Sequence, residues 1–94
     1  MAFVYILHSA YLDKYYIGSC LDLDERLKQH EDKTFKDAYT AVTNDWILYL
    51  SIEELTYEQA RNIESHIKRM KSKAYIKNLK FYPQIIERLR QLYL

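Results

Sequence analysis

The chain has 94 residues, of which 49% are hydrophobic and 29% are charged. This balance is typical of one small globular domain, expected over residues 1–94, and excludes an intrinsically disordered chain. A single cysteine excludes an internal disulfide and a zinc site built from several cysteines, so the cytoplasm is the expected location. No apolar run is long enough to cross a bilayer and no secretory leader is recognisable, so no membrane partner is expected.

Charge is distributed unevenly, although the net charge is only +1. Residues 1–65 hold six Lys and Arg against twelve Asp and Glu, whereas residues 66–94 hold eight against one. A concentrated basic face can bind a polyanion even when the whole chain is nearly neutral. The basic run therefore predicts either a nucleic-acid contact or a solvated helical face. The candidates for nucleic-acid contact are Lys68, Arg69, Lys71, Lys73 and Lys77.

The first predicted elements are two strands and a helix. The runs "FVYILHS" and "KYYIGS" are rich in β-branched and aromatic residues and are joined by a short connector, which indicates an antiparallel hairpin. A helix is expected to begin at Asp22, with Glu25 as its capping-box partner, and to end near His30. Leu23 and Leu27 are expected to face the core.

A third strand is predicted from Trp46, and helices follow it. Thr56 and Gln59 form a capping-box pattern ahead of an apolar stripe, whose members are Ala60, Ile63, Ile67, Met70 and Ala74. The sequence leaves open whether this helix continues past Ser72 or a separate short helix follows. A last helix, about 83–94, has proline in its first turn and extends the domain. The order β-β-α-β-α-α predicts an α+β fold, a small three-stranded antiparallel sheet flanked by helices.

Five polar side chains are candidates for chemistry, and each also has an ordinary structural explanation. Tyr5 and Tyr16 lie on the two hairpin strands, where they would form a cross-strand aromatic pair. Arg26 and His30 lie four positions apart on the first helix. Arg26 would be a surface ion-pair residue, and His30 would be a C-terminal helix residue that the helix dipole favours. Glu64 lies at the edge of the apolar stripe, and the sequence favours equally an ion pair with a lysine one turn later and a divalent metal.

Five stretches occur in a specific order over about residues 3–80. They are "FVYIL", "YYIGS", "LDERLKQH", a strand led by Trp46, and "EQARNIESHIKRMKSK". This series resembles a GIY-YIG nuclease domain, and it is most similar to small stand-alone bacterial members that are related to the nuclease subunit of the excision-repair complex. The chain departs from the pattern at Phe3 and Val4, where the first motif has glycine and isoleucine, and in the loop after His30, which lacks the usual glycines.

The resemblance implies a phosphodiesterase site in which each matching residue has a role. Tyr5 would be the candidate general base, with a pKa lowered by Arg26 and the metal, and Tyr16 would orient the water or the phosphate. Arg26 would contact the scissile phosphate, and His30 would assist proton transfer or hold Tyr5. Glu64 would bind a single Mg²⁺ or Mn²⁺. An arginine offers a bidentate donor fork to phosphate oxygens, and one carboxylate with waters suffices for Mg²⁺.

The only glycine of the chain, Gly18, separates the second strand from the first helix. Glycine permits backbone angles and close approaches that other residues do not. Gly18 is therefore expected to form a structural turn between the two elements.

These observations give three hypotheses for the function. The first is a divalent-metal-dependent endonuclease that acts on branched, damaged or single-stranded DNA, for instance in repair. The alternative is a non-catalytic nucleic-acid-binding module that retains the nuclease fold, and the third is a structural or interaction protein. Because so short a chain leaves little room for a separate DNA-recognition domain, a protein partner that supplies substrate specificity is also expected.

Overall fold

The computed structural model describes residues 1–31, 43 and 45–94. The strands are β1 (Ala2–Ser9), β2 (Lys14–Cys20) and β3 (Trp46–Leu55), and the helices are α1 (Leu23–Glu31), α2 (Tyr57–Met70), α3 (Lys73–Phe81) and α4 (Pro83–Leu92). The predicted α+β fold is confirmed, and the helix that the sequence left open is a separate one, α3. The predicted loop after His30 lies largely outside the described residues.

The sheet has the strand order β2-β1-β3, so β1 is central and pairs antiparallel with both neighbours. Because alternate side chains of a strand point to opposite faces, β1 contributes to two cores. Val4 and Ile6 belong to the larger core, and Tyr5 and Leu7 belong to the smaller one. β2 lies at one edge of the sheet, an arrangement that matters for the site described below.

The larger core lies between the sheet and the helices α2, α3 and α4, which bury Ile63 and Ile67, Ile76 and Leu79, and Leu89, respectively. The smaller core lies on the opposite face and is covered by α1. Leu23 and Leu27 pack against it, as the sequence predicted.

Local signals account for where the helices begin and end. The capping box of Thr56 and Gln59 is present at the start of α2, which confirms the prediction. α2 ends at Met70 because Lys71 adopts the left-handed conformation, with φ 46°, and Ser72 then caps α3 by accepting a hydrogen bond from the Tyr75 amide. Pro83 occupies the first turn of α4, where its missing N–H costs nothing.

For two members of the predicted apolar stripe, the prediction of burial is wrong. Met70 is exposed at the end of α2, and Ala74 is an exposed residue of α3. The helical period does not continue through Lys71, because its left-handed backbone turns the chain. Within the described ranges, no helix has the length and apolarity that a membrane crossing requires.

Candidate active site

The predicted site residues lie around β2, the edge strand. Gly18 is directly opposite Tyr5 and Ser19 is directly opposite Val4 in the pairing with β1. Strand alternation therefore directs the position of Gly18 to the α1 face and the Ser19 side chain to the α2 face. The two sets of functional side chains approach β2 from opposite faces of the sheet.

Three aromatic side chains form a cluster on the α1 face. The ring centroids of Tyr5 and Tyr16 are 6.2 Å apart, and the His30 ring lies 5.7 Å from Tyr5 and 5.1 Å from Tyr16. The two tyrosines are diagonal neighbours, since Tyr16 pairs with Leu7. Tyr5 is fully buried and His30 is nearly so, whereas Tyr16 keeps partial access to solvent.

Arg26 joins this cluster from the second turn of α1. Its guanidinium donates a hydrogen bond to the Tyr5 hydroxyl, and its Nη1 lies 3.4 Å from the backbone oxygen of Ser19. Burial is the largest single effect and opposes the charge of Arg26, but the hydrogen bond with Tyr5 and the electrostatic effects of Tyr5, Cys20 and Tyr16 together raise the guanidinium pKa. Arg26 therefore stays charged beside β2.

The protonation states of Arg26, Tyr5 and His30 determine which group donates and which accepts in this network. Burial, and then the charge of Arg26, lower the pKa of His30 below its usual value, so the imidazole is neutral at pH 7. The Tyr5 hydroxyl lies 2.9 Å from His30 Nε2. Because Arg26 can only donate, Tyr5 accepts from Arg26 and donates to His30.

The expected lowering of the pKa of Tyr5 is not met in this structure. Burial raises the pKa of Tyr5 well above its usual value, and the hydrogen bond from Arg26 only partly offsets this effect. The phenol is therefore protonated at neutral pH, and its hydroxyl is enclosed by Arg26 and His30. This environment suits a group that holds its neighbours better than one that deprotonates water.

Gly18 has a different role from the expected turn. It lies inside β2, two residues before the strand ends, and its φ is not positive. A Cβ atom at this position would lie 2.6 Å from Cζ and from the hydroxyl oxygen of Tyr5. Glycine is needed because the ring of Tyr5 crosses directly over the strand, so the prediction of a turn is wrong and that of a close approach is right.

Glu64 reaches β2 from the opposite face, on α2. Its Oε1 accepts a hydrogen bond of 2.5 Å from Ser19 Oγ, and its Oε2 accepts one of 2.6 Å from Lys68 Nζ. The side chain is 17% exposed. The ion pair with Lys68, one of the two alternatives from the sequence, is present, and Ser19 connects Glu64 to Arg26.

Glu64 is a single carboxylate whose two oxygens are engaged by Ser19 and Lys68. No group of three or more His, Cys, Asp or Glu side chains is present among the described residues. Mg²⁺ commonly uses one or two carboxylates and completes its shell with water and phosphate oxygens. Glu64, with the adjacent Ser19 hydroxyl, could supply the protein's share of such a site.

A polar cleft of ≈ 310 Å³ opens beside these residues. Its walls include Ser19, Arg26 and Gln29, with Tyr57 at the start of α2 on the other side. Tyr57 is 52% exposed, and Arg61 Nη1 donates to its hydroxyl at 3.0 Å. Arg26 thus lines an open cleft, whose walls also include the acidic residues Asp22 and Glu25.

The predicted basic residues do not form one surface. Lys68, Lys71 and Lys73 line a second groove. Arg69 instead donates to the Tyr93 hydroxyl at 3.2 Å, on the side of α4. Lys77 is exposed on α3 and does not line that groove.

Three residues near the site were not singled out from the sequence. Ser19 follows Gly18 directly, so strand alternation could have directed it towards the face opposite Tyr5. Lys14 lines the same groove as Lys68, and Tyr57 lines the cleft of Arg26. No local signal marks the last two, because their neighbours are distant in sequence.

Comparison with known proteins bears on this geometry. The family model of the GIY-YIG catalytic domain matches residues 1–79, most of the chain. Searches of curated proteins and of solved structures gave no significant match. The matched range contains both tyrosines of the cluster together with Arg26, His30 and Glu64. The chain belongs to the GIY-YIG catalytic domain family, and a nuclease-type function follows from that membership.

Proposed function

We propose that this protein is a divalent-metal-dependent endonuclease that hydrolyses phosphodiester bonds in DNA, in the cytoplasm and in a repair or structure-specific role. One observation carries the proposal: Ser19 contacts Arg26 through its backbone oxygen and Glu64 through its hydroxyl. A phosphate-binding cation and a metal-binding carboxylate therefore flank a single residue at the sheet edge. Arg26 is also open to the adjacent cleft.

In this proposal Arg26 binds the non-bridging oxygens of the scissile phosphate and offsets the charge that develops on them. Glu64 and the Ser19 hydroxyl hold the metal, which when bound supplies Lewis-acid stabilisation of the leaving oxygen. Metal binding would require Glu64 to release its ion pair with Lys68. The ammonium group of Lys68 would then be available to a phosphate.

The two tyrosines differ in their exposure to solvent, and this difference gives them different roles. Tyr16 is partly exposed, so it is the tyrosine that meets and orients the attacking water. Tyr5 is fully buried, and it fixes the guanidinium of Arg26 and the ring of His30. Neutral His30, whose ring packs on Tyr16, accepts the hydrogen bond from Tyr5 and holds the two tyrosines in place.

The test is cleavage of supercoiled, single-stranded and branched DNA with Mg²⁺ or Mn²⁺ and then with chelator. We expect metal-dependent nicking that falls by about a hundredfold or more in Glu64→Gln and in Arg26→Gln, since each removes a group that stabilises the transition state. Glu58→Gln, an exposed carboxylate on the same helix, is the matched control and should retain full activity.

Cleavage that persists in Glu64→Gln and in Arg26→Gln would come from a contaminant and would reject the assignment. Metal-independent DNA binding with no cleavage of any substrate would instead support the non-catalytic binding module. A lysine-rimmed groove beside β2 favours this second candidate, because it can retain DNA without any chemistry.

A further inference from the structure

A groove of ≈ 870 Å³ runs beside β2, next to the candidate active site. Four lysines form its rim. Lys14 comes from the start of β2, and Lys68, Lys71 and Lys73 come from the end of α2 and the start of α3. The groove therefore gathers cations that are up to 59 positions apart in the sequence, and no acidic residue lines it within the described part of the chain.

The floor of the groove is apolar. Tyr15 and Ile17 of β2 line one side, and Ile67 and Ile76 of the helices line the other. Tyr15 and Ile17 are only half-buried, so a ligand can contact them. A cationic rim over an aromatic and aliphatic floor matches a nucleic-acid strand whose bases are unpaired, because phosphates and base faces then meet complementary surfaces together. In a duplex the bases are already stacked and paired, and the floor would gain nothing.

Among the described residues, carboxylates pair with at least two of the rim lysines. Lys68 pairs with Glu64 at 2.6 Å, and Lys73 pairs with Asp13 at 3.1 Å. Asp13 is highly exposed and also contacts His8. The exposed pair of Lys73 and Asp13 contributes little free energy, so a phosphate can replace that carboxylate.

The groove is linked to one of the candidate site residues, Glu64, through a lysine on its rim. Lys68 lies on its rim and bonds Glu64, which bonds Ser19 near the other end of β2. The seven residues of β2 span about 20 Å, the length of a few nucleotides. We propose that the groove holds an unpaired DNA strand next to the scissile phosphate, so that the preferred substrate is single-stranded or locally unpaired. This inference rests on the proposed function.

Binding without metal tests the groove separately from catalysis. In the presence of chelator, fluorescence anisotropy compares a labelled oligothymidine with a mixed-sequence duplex of equal length over a range of salt concentrations. We expect the single strand to bind more tightly than the duplex. The double variant Lys14→Gln/Lys71→Gln should weaken single-strand binding several-fold and reduce the salt slope by about 1.4, or about 0.7 for each lost phosphate contact.

Arg88→Gln is the matched control, because Arg88 is an exposed cation of α4 outside the groove. It should change the affinity less than about twofold and leave the salt slope unchanged. A duplex that binds as tightly as the single strand, or an equal loss in the control and the double variant, would overturn the groove proposal. Metal-dependent cleavage that still requires Glu64 would in that case leave the proposed function intact.

Crosslinking locates the bound strand independently of affinity. An oligonucleotide that carries 5-iodouracil reacts on irradiation with aromatic side chains in contact with the base. We expect the crosslinked peptide to contain Tyr15, with loss of the crosslink in Lys14→Gln/Lys71→Gln. Crosslinks found only outside the groove would contradict the proposal.

Discussion

At the residue scale the site depends on single contacts, and one of them is the close approach of the Tyr5 ring to Gly18. The ring of Tyr5 is enclosed by the strand beneath it, His30 at its hydroxyl and Tyr16 beside it. Because the ring is fully buried, it cannot swing away to accommodate a new atom. The hydrogen bonds of Tyr5 to Arg26 and His30 therefore depend on the missing side chain at position 18.

Gly18→Ala should lower the free energy of unfolding by about 1–3 kcal/mol, the usual cost of an extra atom in a packed core. The added Cβ atom would lie 2.6 Å from the Tyr5 ring, so the ring must shift. Urea unfolding measures the change. In a Tyr5→Leu background, which lacks the clashing ring atoms, the extra cost of Gly18→Ala should fall towards zero. Equal costs in both backgrounds would show that the clash with Tyr5 is not the cause.

At the scale of elements, α1 depends on tertiary contacts. It has only nine residues, too few to be stable alone. Leu23 and Leu27 pack it on the smaller core, and the hydrogen bond between Tyr5 and His30 ties its last turn to β1. The position of Arg26, in the middle of α1, is fixed by the same attachments.

Protonation of His30 should loosen α1. The pKa of His30 in the folded state lies below its ordinary value of 6.5. The unfolded chain therefore binds more protons in the window just below pH 6.5, so the free energy of unfolding decreases there as pH falls. Protonated His30 also cannot accept the Tyr5 hydroxyl proton. The pKa values of Asp13 and Asp45 are lowered from 3.8, so protonation of these carboxylates affects the free energy of unfolding only in more acidic solution.

The measurement is urea unfolding at pH 7 and pH 5 for the wild type and for His30→Gln, which retains an acceptor but does not titrate in this range. We expect the wild type to lose stability on acidification and the variant to lose less. If both proteins lose the same free energy, His30 is not responsible for the acid sensitivity.

At the scale of the whole molecule, local signals predicted the elements and motif order predicted the site. Strand alternation, the capping residues at Thr56 and Gln59, and Pro83 are short-range features, so the fold class followed from them. The contact of Ser19 with Glu64 spans 45 positions, and no local pattern encodes it. The sequence leaves the end of α2 at Lys71 open, because the left-handed conformation there is adopted by a lysine and not by glycine.

The proposed metal position and the proposed DNA groove share Lys68, which lies on the groove and pairs with Glu64. In the protein without DNA, the ammonium group competes with a metal for the carboxylate. Lys68→Met keeps the length of the side chain and removes its charge. Because a partly exposed pair of this kind is worth roughly 0.3–1 kcal/mol, the affinity for Mn²⁺ should rise about two- to fivefold.

Isothermal titration with Mn²⁺ in the absence of DNA measures this affinity, and Glu64→Gln should abolish the binding. Lys77→Met serves as the charge-matched control, because it removes one positive charge from the same basic half at a distance from Glu64. An equal rise in both lysine variants would reveal a general electrostatic effect, and no rise in either would show that Lys68 does not compete for the carboxylate. A rise confined to Lys68→Met would show that Lys68 competes with the metal for Glu64, so any phosphate that draws Lys68 away would favour metal binding.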